Sequence, residues 1–413
     1  MFDQQAAATP PRTRFLRNAV ILGLLTAIGP LAIDMYLPSL PSIGASLGAD
    51  AGSVLMSMTA FFVTFAIGQL IFGPVSDMVG RKPPLYCGIA LFAAASIGCA
   101  LATDVQTLIL FRAVQGLGGA AGIVIPRAIV RDLHSGVDEA RLLSLLMLVF
   151  SVSPLLAPLI GSQVVALASW RWVFWLVTAV ALLGLGLLAV SVRETRLHAL
   201  RADSSVAGML DACRTLLLDG NFVGLSLIGA FALAGFFVFL ANSSFILMRH
   251  YHLSSTEYSL VFSGNAAAFF FATQLNGWLA ARFGLSAIVR PAIAGYAAAM
   301  ALMFALSQSG VDNLFVLGAL LFIGNGFLGL LLPVTSVLAL AEHGPIAGTA
   351  ASLMSTLQLA VGSAVMAASG VFANGTVGPM VDGIAASGSV AVLIGVLTLR
   401  RGRELRVAMP PGE

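Results

Sequence analysis

The residue of this chain best placed to do chemistry is an aspartate inside an apolar run. Asp34 lies in residues 28–41, Ile-Gly-Pro-Leu-Ala-Ile-Asp-Met-Tyr-Leu-Pro-Ser-Leu-Pro, at the end of a hydrophobic stretch that begins near Val20. A bare carboxylate on a helix near the bilayer centre costs at least about 2.5–3.5 kcal/mol, so an acid kept there is expected to take up a proton or a partner. Counted from Ala19 at about 1.5 Å per residue, Asp34 falls roughly 22 Å into a core of about 30 Å. Two prolines flank it. Pro30 gives no N–H to the carbonyl of Thr26, and Pro38 gives none to that of Asp34. Free backbone acceptors of this kind are tolerated where a segment faces protein or a wet cavity. Every other acidic residue falls in or beside a loop on this reading.

Arg112 is the one basic residue placed within a span. It keeps its proton under any cellular condition and needs a carboxylate, a carbonyl or water beside it. A partner in a central cavity is expected over a side chain snorkelling to the interface. The candidate cavity residues are Tyr36, Gln115, Asn242 and Asn265, with Phe236, Phe237 and Phe239 as an apolar wall. Gln69, Ser243, Ser244, Gln274, Asn325 and Gln358 also fall in spans, and interhelical hydrogen bonding is the plainer role for any single one of them. No metal or nucleophile grouping is present; His250-x-His252 reads as a solvated pair. No Gly-x-x-x-x-Gly-Lys-Ser/Thr loop is present, so ATP is not expected to power the protein.

These residues must be positioned by membrane helices. The 413 residues are 59% hydrophobic and only 9% charged, and apolar stretches of about 20 residues recur throughout, which excludes a string of soluble domains. The expected fold is an all-α polytopic membrane protein. Helices are expected near 18–39, 52–75, 84–103, 107–130, 141–168, 172–192, 222–247, 256–280, 287–307, 313–338, 347–371 and 381–400. A tail at 1–17 and a loop at 193–221 bracket a first group of six (18–192). The second group (222–400) precedes a tail at 401–413. Residues 1–11 lack the features of a cleavable signal. Of the 21 lysines and arginines, only Arg171 and Arg249 fall in segments placed outside. The positive-inside rule therefore puts both termini in the cytoplasm. The net charge of +3 follows from that bias and does not point to nucleic acid. Cys87, Cys99 and Cys213 are expected as free thiols.

Three motifs follow the acid. Gly73-Pro-Val-Ser-Asp77-Met-Val-Gly80-Arg81-Lys82 closes the second span, and Gly277-Trp-Leu-Ala-Ala-Arg-Phe-Gly284 echoes its glycines after the eighth, as internal repeats would. Asp77 is suited to a switchable contact with a helix amino end or an arginine, a gate to which Asp132 is a candidate contributor. The fourth span reads Arg112-Ala-Val-Gln115-Gly116-Leu-Gly118-Gly119. In the fifth, Ser153, Ala157 and Gly161 fall four apart on one small-residue face, beside Pro154 and Pro158.

The loop after the second span resembles the signature of the major facilitator superfamily, Gly-x-Leu-Ala-Asp-Arg-x-Gly-Arg-Lys, matching at Gly73, Asp77, Gly80, Arg81 and Lys82. It departs at Val75, Ser76 and Met78, the last replacing an arginine, so one arm of the latch is expected to be weaker. The fourth span resembles the superfamily's second motif. Pro154, Ala157, Pro158 and Gly161 resemble the antiporter motif of its twelve-span drug:proton antiporters, with Ala157 and Ser162 in place of glycines. Leu31-Ala-Ile-Asp-Met-Tyr-Leu-Pro-Ser-Leu-Pro41, Arg127-Ala-Ile-Val-Arg-Asp-Leu133, Trp170-Arg-Trp-Val-Phe174 and Ala347-Gly-Thr-Ala-Ala-Ser-Leu-Met-Ser-Thr-Leu-Gln358 are similar to the Bcr/CflA group of multidrug exporters.

That resemblance runs from about residue 17 to 400. It implies two six-helix bundles around a cavity in the bacterial inner membrane, and exchange of protons for drug-like molecules, with chloramphenicol- and bicyclomycin-like substrates in view. It also makes the first and fourth helices neighbours, so that Asp34 and Arg112 would sense each other directly or through water. Thr26 stands where some relatives carry a second acid, which leaves no strong reason for a cationic substrate. No cofactor beyond the proton gradient is expected, and a monomer suffices. A dedicated exporter of one metabolite and a passive facilitator are the alternatives. No catalytic grouping supports an enzyme.

Overall fold

The structure is a computed structural model and describes residues 12–191, 194–195, 206–372 and 375–400. The parts of the expected tails and central loop at 1–11, 192–193, 196–205 and 401–413 lie outside the described residues. The chain is helical throughout: α1 (Arg12–Asp34), a short α2 (Leu40–Leu47), α3 (Ala51–Val79), α4 (Lys82–Leu101), α5 (Val105–Leu133), α6 (Gly136–Leu167), α7 (Arg171–Ser191), α8 (Val206–Leu218), α9 (Gly220–Phe245), α10 (Ser255–Phe283), α11 (Leu285–Gln308), α12 (Leu314–Leu340), α13 (Ala347–Val371) and α14 (Val377–Arg400).

Eleven of the spans are long and apolar enough to cross a bilayer. The remaining expected span, α10, has 29 residues but is less apolar. Its polar groups are spent on neighbours. Asn265 accepts from Asn325 at 3.3 Å, Asn276 donates to the Gly329 carbonyl at 3.0 Å, and Ser259 and Ser263 donate to α6. A helix whose polar atoms are paired inside the bundle need not be uniformly apolar.

Two differences from the sequence reading have physical causes. The segment at 193–221, expected as a loop, contains α8, a 13-residue helix packed on α9 and α13. It is too short to span and was hidden between charged residues. Asp77 and Asp132, expected in or beside loops, lie in the last turns of α3 and α5, beside the loops that follow them. Asp382 also sits inside a helix, since α14 starts at Val377 rather than near 381.

Contacts fall into two bundles. In the first, α5 packs on α3 and α4, and α1 packs on α5, α6 and α7; in the second, α9 packs on α12, α13 and α14, and α12 packs on α10 and α11. The bundles meet along α3–α13 and α6–α10. A Cβ on Gly116 would lie 2.2 Å from the Phe61 carbonyl oxygen, so the Gln-Gly pair of α5 sits where only glycine lets α3 approach. The repeat echo is real in the backbone: Gly80 and Gly284 both terminate their helices at positive φ, 105° and 80°.

Asp50 and Asp104 cap α3 and α5 at the end opposite the arginine-rich loops. Hydrogen bonds from the Ser53 and Thr107 backbones hold both carboxyls below the usual range. A depressed carboxyl contributes stability above its unfolded value of about 3.9 and loses it only as pH falls through the folded value. Helicity followed by circular dichroism is therefore expected to stay flat from about pH 8 to about pH 5 on account of these caps. A loss in that window would contradict their geometry.

Candidate functional site

The site begins where α1 stops. Helix hydrogen bonding ends at Asp34, a 3-10 turn follows at Leu37–Ser39, and Pro38 lies inside that turn. Asp34 is 5% exposed, and Ser153 Oγ donates to its Oδ2 at 3.2 Å. It has no cationic partner among the described residues. Ser153 is delivered by the small-residue face of α6. Ala157 is buried, and a Cβ on Gly161 would lie 2.3 Å from the Met35 carbonyl oxygen. The stripe thus lets α6 lie directly on the break in α1, beside the acid. On another side of α6, Ser263 donates to the Leu155 carbonyl at 2.7 Å and Ser259 to that of Pro158 at 2.9 Å, tying α6 to α10 of the second bundle.

Gly161→Ala is expected to destabilise, although alanine gains about 1 kcal/mol of helix propensity over glycine. The added atom meets a backbone oxygen that cannot rotate away, and overpacking of this kind costs roughly 1–3 kcal/mol. Gly186→Ala on α7, where nothing lies within 4 Å, is the control and should gain up to about 1 kcal/mol from helix propensity. Melting of the two variants in detergent separates the cases, and equal melting points would remove the tight α1–α6 contact from the account.

Arg112 does not pair with Asp34; no ion pair joins them among the described residues. The guanidinium is fully buried. It donates to the Ala32 carbonyl at 3.2 Å and to the Gln115 side-chain oxygen. Ala32 lies in the last turn of α1, whose carbonyls lack helical partners. The pliable backbone around the acid therefore serves the arginine. Its Nε and Nη2 have no hydrogen-bond partner among the described residues, and aromatic faces flank the cation: Arg112 stands 4.3 Å from the Phe61 ring and 4.5 Å from that of Tyr36.

Tyr36 and Gln115, expected on the cavity wall, are instead buried around this arginine. Tyr36 shares a 2.7 Å hydrogen bond with Ser57, and Gln115 donates to Ser96 at 2.7 Å. Asn242 and Asn265 are also buried. Asn242 donates to the Val238 carbonyl at 2.9 Å and to Ser369 at 3.2 Å, and Asn265 donates to the Val261 carbonyl at 3.0 Å. In this conformation all four bind helices together. Phe237 packs on Phe62 of the first bundle with centroids 4.6 Å apart, and Phe239 stacks on Phe262.

The second cluster sits at the arginine-rich end. Arg81 is buried and donates to Asp77 at 2.6 Å, to Asp132 at 2.8 and 3.2 Å, and to Ser76 at 2.9 Å. Both carboxylates stand at helix C-termini, where the macrodipole opposes them, so the guanidinium offsets two unfavourable placements. Glu194 accepts from the backbone N–H groups of Arg81 and Lys82 at 2.8 and 3.0 Å, closing the start of α4, and Thr195 donates to Asp132 at 3.0 Å. Glu194 and Thr195 were missed in the sequence, because nothing local ties position 194 to position 81. A Cβ on Gly73 would meet only Val124, at an ordinary contact distance of 3.6 Å, so this glycine is not at a close helix approach. Met78 is exposed and adds no arm to the latch.

A cleft of about 670 Å³ opens beside this cluster. Its walls include Gln69, Asp77 and Arg127 of the first bundle, Met209 of α8, and Thr349 and Ser355 of α13. At the opposite end the bundles touch closely. Arg249 donates to the Pro41 carbonyl at 3.1 Å, and a Cβ on Gly52 would lie 3.1 Å from the Gly370 oxygen. The protein is therefore open at the arginine-rich end and closed at the other. His250 is not a solvated pair with His252; it contacts Asp312 at 2.6 Å, and Tyr251 donates to the same carboxylate.

Two bundles, an inter-bundle cleft open at one end and a charged cluster at its mouth suit a membrane transporter rather than an enzyme. The Major Facilitator Superfamily model matches residues 22–367, and the chain belongs to that superfamily. It is 35% identical over 352 residues to the uncharacterized MFS-type transporter YdgK of Bacillus subtilis, covering 85% of this chain and 87% of the relative. It is 31% identical over 361 residues to multidrug resistance protein D of Escherichia coli, covering 86% and 89%. In fold it is similar to a D-xylose-proton symporter, with a TM-score of 0.74 at 17% identity over 95% of this chain and 98% of that one. The protein is thus a multi-span transporter of the bacterial inner membrane.

Proposed function

We propose that the chain exports drug-like small molecules in exchange for protons. The observation that supports this reading is Asp34, a buried carboxylate held by one hydroxyl with no cation beside it among the described residues. Burial favours the neutral form of such a group, so its charge state depends on hydration and on what occupies the cavity. With the outer side open, Asp34 takes a proton. The bundles rock and the cleft opens inward, with both termini and the arginine-rich end in the cytoplasm. A substrate entering there favours proton release, by displacing water or by disturbing the Ser153 contact. Protonated and substrate-bound states then exclude each other, which is exchange. The Arg112 cage holds the α1 break in place, and Arg81, Asp77 and Asp132 form the inner latch. Pro154, Pro158 and the small-residue face of α6 shape the contact that limits proton leak. The cycle needs no cofactor beyond the proton gradient, and a monomer suffices.

The relative named for multidrug resistance supports a broad substrate range. A resistance and accumulation panel in an efflux-deficient bacterial host tests it, with neutral, cationic and anionic compounds, chloramphenicol- and bicyclomycin-like ones among them. Lowered accumulation of several unrelated compounds supports the reading. Protection against none of them would move it to a dedicated exporter of one metabolite. Equilibration without accumulation against a gradient would move it to a passive facilitator.

A further inference from the structure

The cleft at the arginine-rich end holds positive charge that the latch does not use. Its wall carries three arginines, Arg81, Arg127 and Arg131, against two aspartates, Asp77 and Asp132. Arg81 engages both aspartates. Arg127 and Arg131, one turn apart on α5, have neither a carboxylate partner nor a hydrogen-bond acceptor among the described residues. Arg131 is exposed, but the Nε of Arg127 is buried and unpartnered. A guanidinium partly removed from water without a counter-charge is an unfavourable arrangement that an anion relieves. Across the cleft, Thr349 and Ser352 of α13 present hydroxyls that bond to nothing among the described residues.

We propose that Arg127, with Arg131 and the hydroxyls of Thr349 and Ser352, binds a phosphate-class oxyanion in this cleft. Guanidinium groups bind phosphate through paired, charge-assisted N–H donors, and hydroxyls complete such a shell. The cleft volume of about 670 Å³ leaves ample room. Because the donors come from α5 of one bundle and α13 of the other, the anion would bridge the two bundles while the mouth is open. Two sources carry this chemistry: a soluble phosphate, or the headgroup of an anionic phospholipid at the membrane surface.

The test uses the purified full-length protein and requires no transport, so its failure is separate from failure of the export reading. Thermal unfolding is followed while inorganic phosphate replaces chloride at constant ionic strength, and separately in mixed micelles of phosphatidylglycerol against phosphatidylcholine. Wild type is expected to show an upward shift in melting temperature that grows with the logarithm of the probe concentration once this exceeds the dissociation constant. A shift with inorganic phosphate assigns the soluble source, and a shift with phosphatidylglycerol alone assigns the lipid. Arg127→Gln should abolish the shift and Arg131→Gln should reduce it. Without added anion, Arg127→Gln should melt at or above wild type, because an uncompensated charge has been removed. The absence of an upward shift in wild type with either probe overturns the proposal, as does an undiminished shift in Arg127→Gln. Should Arg127→Gln fail to fold, the wild-type titration and Arg131→Gln decide the question.

Discussion

Asp34→Asn is expected to abolish uphill export while leaving the fold intact. The amide is close to the neutral acid in shape and still accepts from Ser153, whose 3.2 Å contact is the acid's hydrogen bond in this conformation. What is lost is the change of charge. One proton entering for each neutral molecule expelled is worth about 2.3 kcal/mol at a membrane potential of about 100 mV. That energy sustains a concentration ratio of about 50-fold, given tenfold per 1.4 kcal/mol. In proteoliposomes with an imposed proton gradient, wild type should build a gradient of this order and Asp34→Asn should build none. Downhill exchange of labelled for unlabelled substrate should be weakened as well, because the amide mimics the protonated state that excludes substrate. Uphill export by Asp34→Asn would remove Asp34 from the coupling step.

Arg81→Ala is expected to carry the largest stability effect. It strips the partner from two carboxylates at once, and both lie in helix C-terminal turns where the dipole already opposes them. Breaking a buried ion pair by removing one partner costs about 3–5 kcal/mol. Here the side chains of Asp77 and Asp132 are 39% and 14% exposed, so water offsets part of the loss. A cost of about 2–3 kcal/mol is expected. Arg81→Lys should recover only part of it, because one ammonium cannot span the four acceptor atoms that the guanidinium fork reaches. Asp77→Asn with Arg81→Ala should be less damaging than the sum of the single changes, because the two residues share one network. Melting temperatures of the four variants test this, and strict additivity would show that the latch is not a unit.

How far the sequence could be read depended on whether an interaction was local. Asp34 was legible because a charge in an apolar run conflicts with its solvent. The small-residue face of α6 was legible through its four-residue spacing, and it proved to be the surface that brings Ser153 to the acid. Arg112 was legible as a buried cation, but not its environment. The Phe61 and Tyr36 rings that cage it come from two helices away and from two residues beyond the end of α1, and no spacing rule joins them. Tyr36 and Gln115 were chosen as cavity residues because they are polar in a span, a property that packing and ligand contact share. Glu194 was invisible for a related reason: it lies more than a hundred residues from the backbone amides it caps. α8 was lost because 13 residues between charged stretches look like neither a span nor an ordinary loop.

Direct detection of protons tests the central claim most closely. Purified protein in weakly buffered detergent solution, given a neutral transported compound, should release protons, and the release should diminish when the solution is made alkaline enough to empty the acid beforehand. Asp34→Asn should release none and, as a mimic of the protonated acid, should bind the compound more weakly than wild type. Substrate-induced proton release of equal size from Asp34→Asn, or binding to wild type without release at any pH, would contradict exchange through Asp34.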